Sequence, residues 1–492
     1  MSRERLQRAA RAAVIAVLAA PAVWQLGLLV VAVAGRVFYP YDLEWNEGGM
    51  IEHAARLGHG GIYAPPSVDF VPFPYTPLYP TVIAAFGASY AAGRVISVLA
   101  MAAIVAVCAL AAWDGSRPRK AVAVGAALLG AGVYASAYPF VEGWYDIAKP
   151  DSFATAIALV GLWLLLRQVR RGEGWRGQAG VAVAAAILAL SYFAKQTSVF
   201  FVLAGGVLVL CWSWRRVFVY GAVTGAIGLG GTALVNKLTD GRFWYYIYEV
   251  KHGQDFNMPR FWNSFRLILG RFPLVTGVLV ATLVVVAVGA VAAPRGRKLP
   301  EASARFLSWL WLFAIACLTG AIGWAAPWGH YNHFIPALAC GGVAVAAALP
   351  AALAAVVALQ LVRTPWKVRD FRPAPSDRAA GARLIARLAA FPGDVLMPFH
   401  PWYPTLAGKR FYLHRMGILD MSYPHRRTVT GLAESIAMKR FAAIVIDNRD
   451  MTSELPGLTK YYQRSGTIPP DERPRVFTGA KVVPDAIWTP RP

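Results

Sequence analysis

The sequence predicts an α-helical polytopic membrane protein of about 10–12 spans, with interfacial helices in its first outer loop and a small C-terminal α/β domain. Three observations carry this. Only 15% of the 492 residues are charged and 57% are hydrophobic, where a soluble chain carries roughly 25% charged residues. Apolar runs long enough to cross a bilayer recur throughout the first three quarters of the chain. From Arg363 onward the composition changes, with Pro, Arg and Asp rising and short β-like runs appearing.

The elements follow in order. Arg3, Arg5, Arg8 and Arg11 precede the run Ala13–Gly35, whose one strongly polar side chain is Gln25. The run exceeds the h-region of a secretory signal, so it reads as an uncleaved first span with the N-terminus cytoplasmic. Further apolar runs lie at Gly93–Trp113, Ala121–Val141, Asp151–Leu166, Ala179–Phe193, Ser198–Trp212, Val217–Val235, Pro273–Ala293, Phe306–Ala326 and Phe334–Leu349, with a weaker one at Ala351–Leu361. Tyr75–Ser89 is apolar but short, as a half-span would be. The basic loops "DGSRPRK", "RQVRRGEGWRGQ", "WSWRR" and "PRGRK" return after every second span, which places them in the cytoplasm. The loops Phe38–Thr76, Val141–Pro150, Ala194–Thr197, Asn236–Phe272 and Pro327–His333 are then outside.

The net charge of +23 is absorbed largely by short basic loops, so it does not indicate nucleic acid. Cys108, Cys211, Cys317 and Cys340 all fall in apolar segments and read as small packing residues. Residues 1–362 form the membrane domain and residues 363–492 the soluble one, about the size of a small domain. Its β-like runs are "DVLMPF" and "AAIVID", alternating with helical patterns at Ala379–Ala390 and Gly431–Phe441. The side of the membrane it occupies depends on whether Phe334–Leu361 crosses once or twice around Pro350.

The first outer loop concentrates acid in an otherwise basic chain. "YDLEWNEGGMIEH" carries Asp42, Glu44, Glu47 and Glu52. Asn46 is placed to N-cap a helix running to Leu57, stopped by Gly58, Gly60 and Gly61. That helix reads as amphipathic and interfacial, with Met50, Ile51, Ala54 and Leu57 on one side and Glu52, His53 and Arg56 on the other. Gly48 and Gly49 in its first turn predict close approach by another backbone or a ligand. Glu47 complements the helix dipole on the plainest reading. Acids at a membrane surface, where burial raises their pKa, are also general-base candidates.

This loop, with "GGIYAPPSVDFVPFPYTPLYP", "AKPDSFATAIALVGLWLL", "SYFAKQTSVFF" and "GHYNHFIPALA", resembles the GT-C glycosyltransferases. The likeness is to the family 39-like branch, related to protein O-mannosyltransferases and the bacterial aminoarabinose transferase. It covers Val14 to about Leu349 and extends to a C-terminal soluble domain. The resemblance implies an inverting transfer from a polyprenyl-phosphate-linked sugar to a hydroxyl of a glycan, lipid or protein at the outer membrane face. It also implies an extracytoplasmic C-terminal domain. Many relatives have an Asp–Glu pair where Glu47 is followed by Gly48, so the catalytic acid is Glu47, Asp42 or Glu44. Lys195, Arg260, His330 and His333 are candidates for the donor phosphate, and Lys149, Asp151, Gln196, Tyr331 and Asn332 for substrate. Lys149 and Asp151 are close enough in sequence to pair with each other. Asp42 and Glu44 could hold a divalent cation, although two carboxylates do not define a metal site.

No Gly-rich loop follows a strand, so a nucleotide-sugar site is unsupported. "GAIGLGG" at Gly225–Gly231 lies within a span and is expected to serve helix packing. A transporter or flippase, or a non-catalytic binder of lipid-linked sugar, is the alternative. Transport would call for mid-membrane ionisable residues and repeated halves, and the sequence displays neither.

Overall fold

The computed structural model describes residues 3–59, 61–116, 119–168, 174–294, 299–424 and 427–492. The chain is a multi-pass membrane protein. Seven helices are long and apolar enough to cross a bilayer: Arg3–Ala34, Tyr90–Ser116, Pro150–Gln168, Trp175–Ala194, Trp214–Leu238, Pro273–Ala292 and Glu301–Ala325. Shorter apolar helices cover Lys120–Ser136, Gln196–Trp212, Tyr331–Ala347 and Ala351–Val362. Every apolar run of the sequence thus falls on a helix, as it must where no water is present to satisfy the backbone. Parts of three of the four basic loops, residues 117–118, 169–173 and 295–298, lie outside the described residues.

Small residues bring the central helices together. A Cβ on Gly130 would come within 2.3 Å of the Gly342 carbonyl oxygen, and one on Gly132 within 2.5 Å of Ala22 Cβ. These contacts join Arg3–Ala34, Lys120–Ser136 and Ile335–Ala348 without an intervening side chain. The Gly225–Gly231 run behaves otherwise. A Cβ on Gly225, Gly228 or Gly230 would meet nothing within 4 Å, and only Gly231 abuts a neighbour, the Phe193 ring at 2.7 Å. The expected packing role is therefore not seen there. The run instead forms a π-helical turn, Ala226–Gly230, in a span that the rest of the protein hardly covers. Tyr75–Ser89 contributes only the short helix Leu78–Ala85, whose Tyr79 hydroxyl donates to the Gly93 carbonyl at 3.0 Å.

Phe334–Leu361 is two helices, Ile335–Ala348 and Ala354–Val362, broken at Pro350. The second runs beside the first span, where the Gln25 amide donates to the carbonyls of Leu361 and Thr364, both at 2.9 Å. This return brings the chain back to the end of the first span, where Arg36 Nη1 donates to the Phe371 carbonyl at 3.0 Å.

The C-terminal segment carries a four-stranded sheet in the order β1-β2-β4-β3: β1 Val395–Leu396, β2 Ala443–Asp447, β3 Tyr462–Thr467 and β4 Pro484–Pro490. β1 and β2 are parallel and the other pairs antiparallel, with Val445 opposite Ile487. All five residues of β2 are buried, and its period of two sends them to different cores. Ala443 and Val445 join a core shared with the membrane helices, Tyr39 and Leu43. Ile444 and Ile446 join a second core with Trp45, Tyr63 and Val68 from the acid loop and its continuation, and with Phe243 and Tyr246 from the segment after the span Trp214–Leu238. Backbone bonds complete the joint: Phe477 and Thr478 N–H donate to the Leu43 carbonyl (2.9 and 2.8 Å), and Val68 N–H to that of Thr430 (2.8 Å). The C-terminal segment and the loop that follows the first span lie on one face.

Candidate active site

The acid loop is not a solvated surface. Asp42, Glu44 and Glu47 are at most 1% exposed, and all residues of the helix Glu47–Ala55 but the last are buried. The polar side of the helix is covered by the continuation of the same loop: His53 Nε2 donates to the Ile62 carbonyl at 2.8 Å and Arg56 Nη2 to that of Asp69 at 3.1 Å. Asn46 stands at the N-cap but its side chain caps nothing, and after Ala55 the chain tightens into one 3₁₀ turn, Arg56–His59. Gly60 lies outside the described residues. The two glycines do admit a close approach. A Cβ on Gly48 would sit 2.7 Å from Trp402 Cβ, and one on Gly49 2.9 Å from the Phe73 ring. The space is taken by the protein's own side chains rather than held for a ligand.

The three acids have different surroundings. Glu47 accepts from Arg94 at both oxygens (3.0 and 2.6 Å) and from the N–H groups of Leu43 and Ala148, both at 2.7 Å. Burial pushes its pKa up, but the Arg94 charge and these donors more than offset this and hold it below the usual range. Arg94 in turn donates to the carbonyls of Tyr39 and Tyr41. With its oxygens committed, Glu47 ties the loop to the start of the Tyr90–Ser116 helix. It is poorly placed to receive a substrate proton.

Asp42 Oδ1 accepts from Gly48 N–H at 3.1 Å, and Oδ2 from His400 Nδ1 at 2.8 Å. The other ring nitrogen, Nε2, reaches Asp447 Oδ2 at 3.0 Å. None of these side chains is exposed to solvent. Burial disfavours the imidazolium, yet the flanking carboxylates of Asp447 and Asp42 prevail and raise the His400 pKa to about 10. An ordinary histidine titrates near 6.5. The contribution to folding is complete below about pH 6.5, where unfolded histidine is also protonated, and is lost as pH rises through about 10. Thermal unfolding in detergent is therefore expected to show a falling midpoint between pH 7 and 10, and His400→Gln is expected to flatten that slope. An unchanged slope in the variant would contradict the assignment.

Among the described residues Glu44 accepts one hydrogen bond, from Asn46 N–H at 3.0 Å. Burial raises its pKa, with Lys149 opposing and Glu47 adding to the rise. Lys149 is buried too, with Nζ 4.3 Å from the centre of the Phe73 ring. Burial lowers its pKa, and Glu44 is the leading charge working the other way. Each group is pressed towards neutrality. The pairing of Lys149 with Asp151 that sequence proximity suggested does not form. Asp151 Oδ1 instead accepts from Lys195 Nζ at 2.5 Å and Asn332 Nδ2 at 2.9 Å.

A cavity of about 350 Å³ opens beside Lys195, with Glu44 and Lys149 one residue behind its wall. Lys195, Gln196 and His333 line it with Asn46, Phe73 and Lys251, whose Nζ donates to Asp420 at 2.8 Å. Phe73 forms a wall between the cavity and Lys149, and Asn46 holds Glu44 through its N–H. The remaining candidates lie apart. Arg260 is stacked 4.4 Å over Trp324 and donates to the Gly329 carbonyl at 2.7 Å. His330 Nδ1 accepts from Trp144 Nε1 at 3.2 Å, and burial lowers its pKa to about 4. Tyr331 packs against Phe140 and Trp324. Asp42 has both oxygens occupied, and among the described residues no group of three or more His, Cys, Asp or Glu side chains is arranged to hold a metal ion.

No family model matches the chain, and no curated protein does. Solved structures are similar to it. ArnT from Cupriavidus metallidurans in the apo state superposes with a TM-score of 0.47 at 13% identity, covering 94% of this chain and 97% of that one. The same protein bound to undecaprenyl phosphate gives 0.47 at 12% identity, with the same coverage. The Archaeoglobus fulgidus oligosaccharyltransferase, in complex with Zn and sulfate, gives 0.49 at 12% identity over 88% of this chain and 68% of that one. The likeness spans most of this chain.

Proposed function

We propose that the chain is an inverting glycosyltransferase of the GT-C kind. It would move a sugar from a polyprenyl phosphate to an acceptor hydroxyl at the extracytoplasmic face. The observation that carries this is the juxtaposition of a lysine-lined cavity at the span ends with a buried carboxylate whose pKa is raised. Transfer needs both: a base for the acceptor proton and cations for the departing phosphate.

In this reading Glu44, rather than Glu47, takes the acceptor proton as that oxygen attacks the anomeric carbon. The bond between that carbon and the phosphate oxygen breaks with inversion. Lys195 and Lys251 receive the charge that develops on the phosphate, each ammonium turning a free N–H to a phosphate oxygen while keeping its partner Asp151 or Asp420. Asp42 and His400 fix the loop that carries Glu44. No step is routed through a metal. Positive-inside bias of the basic loops supports an outer site, and the C-terminal segment closes over it from the same face.

The test is incubation of purified protein with polyprenyl-phosphate sugars and acceptor-bearing membranes, following release of polyprenyl phosphate. Acceptor-dependent release is expected with at least one donor. Absence of release across the panel would defeat the proposal.

A further inference from the structure

Several polar atoms along the cavity wall are buried but lack partners. Asn46 Oδ1, Gln196 Oε1 and Gln254 Nε2 have no hydrogen-bond partner among the described residues, and all three residues line the same cavity. Asn46 is only 7% exposed. The Gln196 side chain is held by its own Nε2, which donates to the Pro74 carbonyl at 2.8 Å. Folding leaves few such atoms unsatisfied, so three on one wall point to a ligand that satisfies them. The charged side chains there have partners already: Lys195 with Asp151, Lys251 with Asp420. Asp255, an exposed residue of the lining, accepts the Tyr423 hydroxyl.

Trp328 supplies a second, independent observation. It lines the cavity, is 47% exposed, and holds a positive φ of 62°, a conformation rare for a bulky residue. Backbone strain of this kind persists where the surroundings impose it, and it gathers at ligand sites. Among the described residues no ring or cation is stacked on the indole. The side chain is thus presented as an open aromatic face beside three carboxamides.

We infer that the cavity is a subsite for an uncharged, hydroxyl-rich ring, the neutral sugar of the donor. Asn46, Gln196 and Gln254 bond its hydroxyls, and Trp328 covers one face. This rests on the transferase reading proposed above. Carboxamides offer both donors and acceptors, as hydroxyls require, and add no charge. Once the phosphate occupies the two lysines, no further buried cation on this wall is left for a uronic acid. An amino sugar would find only carboxylates that already have partners.

The test measures binding by thermal shift and transfer by polyprenyl-phosphate release, on the full chain in detergent. Four probes are compared: bare polyprenyl phosphate, and the same carrier bearing a neutral hexose, an amino sugar or a uronic acid. The neutral hexose is expected to bind about tenfold tighter than the bare carrier, as one or two satisfied hydrogen bonds allow. The charged sugars are expected to gain nothing over it. Gln196→Leu and Trp328→Ala should each remove most of the neutral increment. An increment for the amino sugar or uronic acid equal to or above the neutral one would overturn the inference, as would a neutral increment untouched by both variants. Selective binding of the neutral donor without transfer would instead sink the transferase reading and leave the subsite standing.

Discussion

Glu44→Gln is expected to lower turnover by about 10²–10⁴-fold, the range that a positioned general base contributes. The amide keeps the shape and the bond from Asn46 N–H, but cannot take a proton. Donor binding should be largely preserved, since the phosphate is assigned to Lys195 and Lys251. The wild-type rate should also rise with pH through the raised Glu44 titration, because the acid must be ionised to act and burial holds it protonated for longer. Measuring kcat and KM separately in detergent checks this. A variant with near-normal kcat would remove Glu44 from the mechanism.

Glu47→Gln should act on folding instead. Arg94 would keep its charge in a site with no solvent exposure while losing its one carboxylate partner among the described residues. Removing one partner of a buried ion pair typically costs about 3–5 kcal/mol. A sharp drop in unfolding midpoint and in folded yield is expected. Replacing both residues with methionine should recover much of it, because no lone charge then stays buried. A Glu47→Gln protein that folds normally and has lost only turnover would reverse the assignments of Glu44 and Glu47.

Much of the membrane architecture was legible because apolar length is a local property. Each run of the sequence became a helix, and Pro350 broke the last of them as its missing N–H requires. Half of the site was legible for the same reason: Lys195, Gln196 and His333 sit at span ends and meet at the cavity. The other half was not. Asp42 and His400 are 358 residues apart, and nothing near His400 or Asp447 in sequence marks them as partners of the first loop. Lys149 and Asp151 misled by proximity. Asp151 lies in the first turn of its helix and meets Lys195, whereas Lys149 precedes the helix and turns to Phe73. One signal was available and unused. Arg94 stands inside an apolar run, where a charge is expensive and so has a partner worth naming.

The joint between Asp42, His400 and Asp447 also sets an order of events in biosynthesis. Asp42 leaves the ribosome 358 residues ahead of His400, and Asp447 follows later still. The strand that carries Asp447 is paired with Pro484–Pro490, made later again. A half-made protein, threaded through the bilayer but still being synthesised, therefore has its acids and lysines without the cover that fixes them. The cover is complete only once that strand has docked. Chains cut short by a stop codon before Pro484 should accumulate in the membrane as helices whose acid loop lacks its cover.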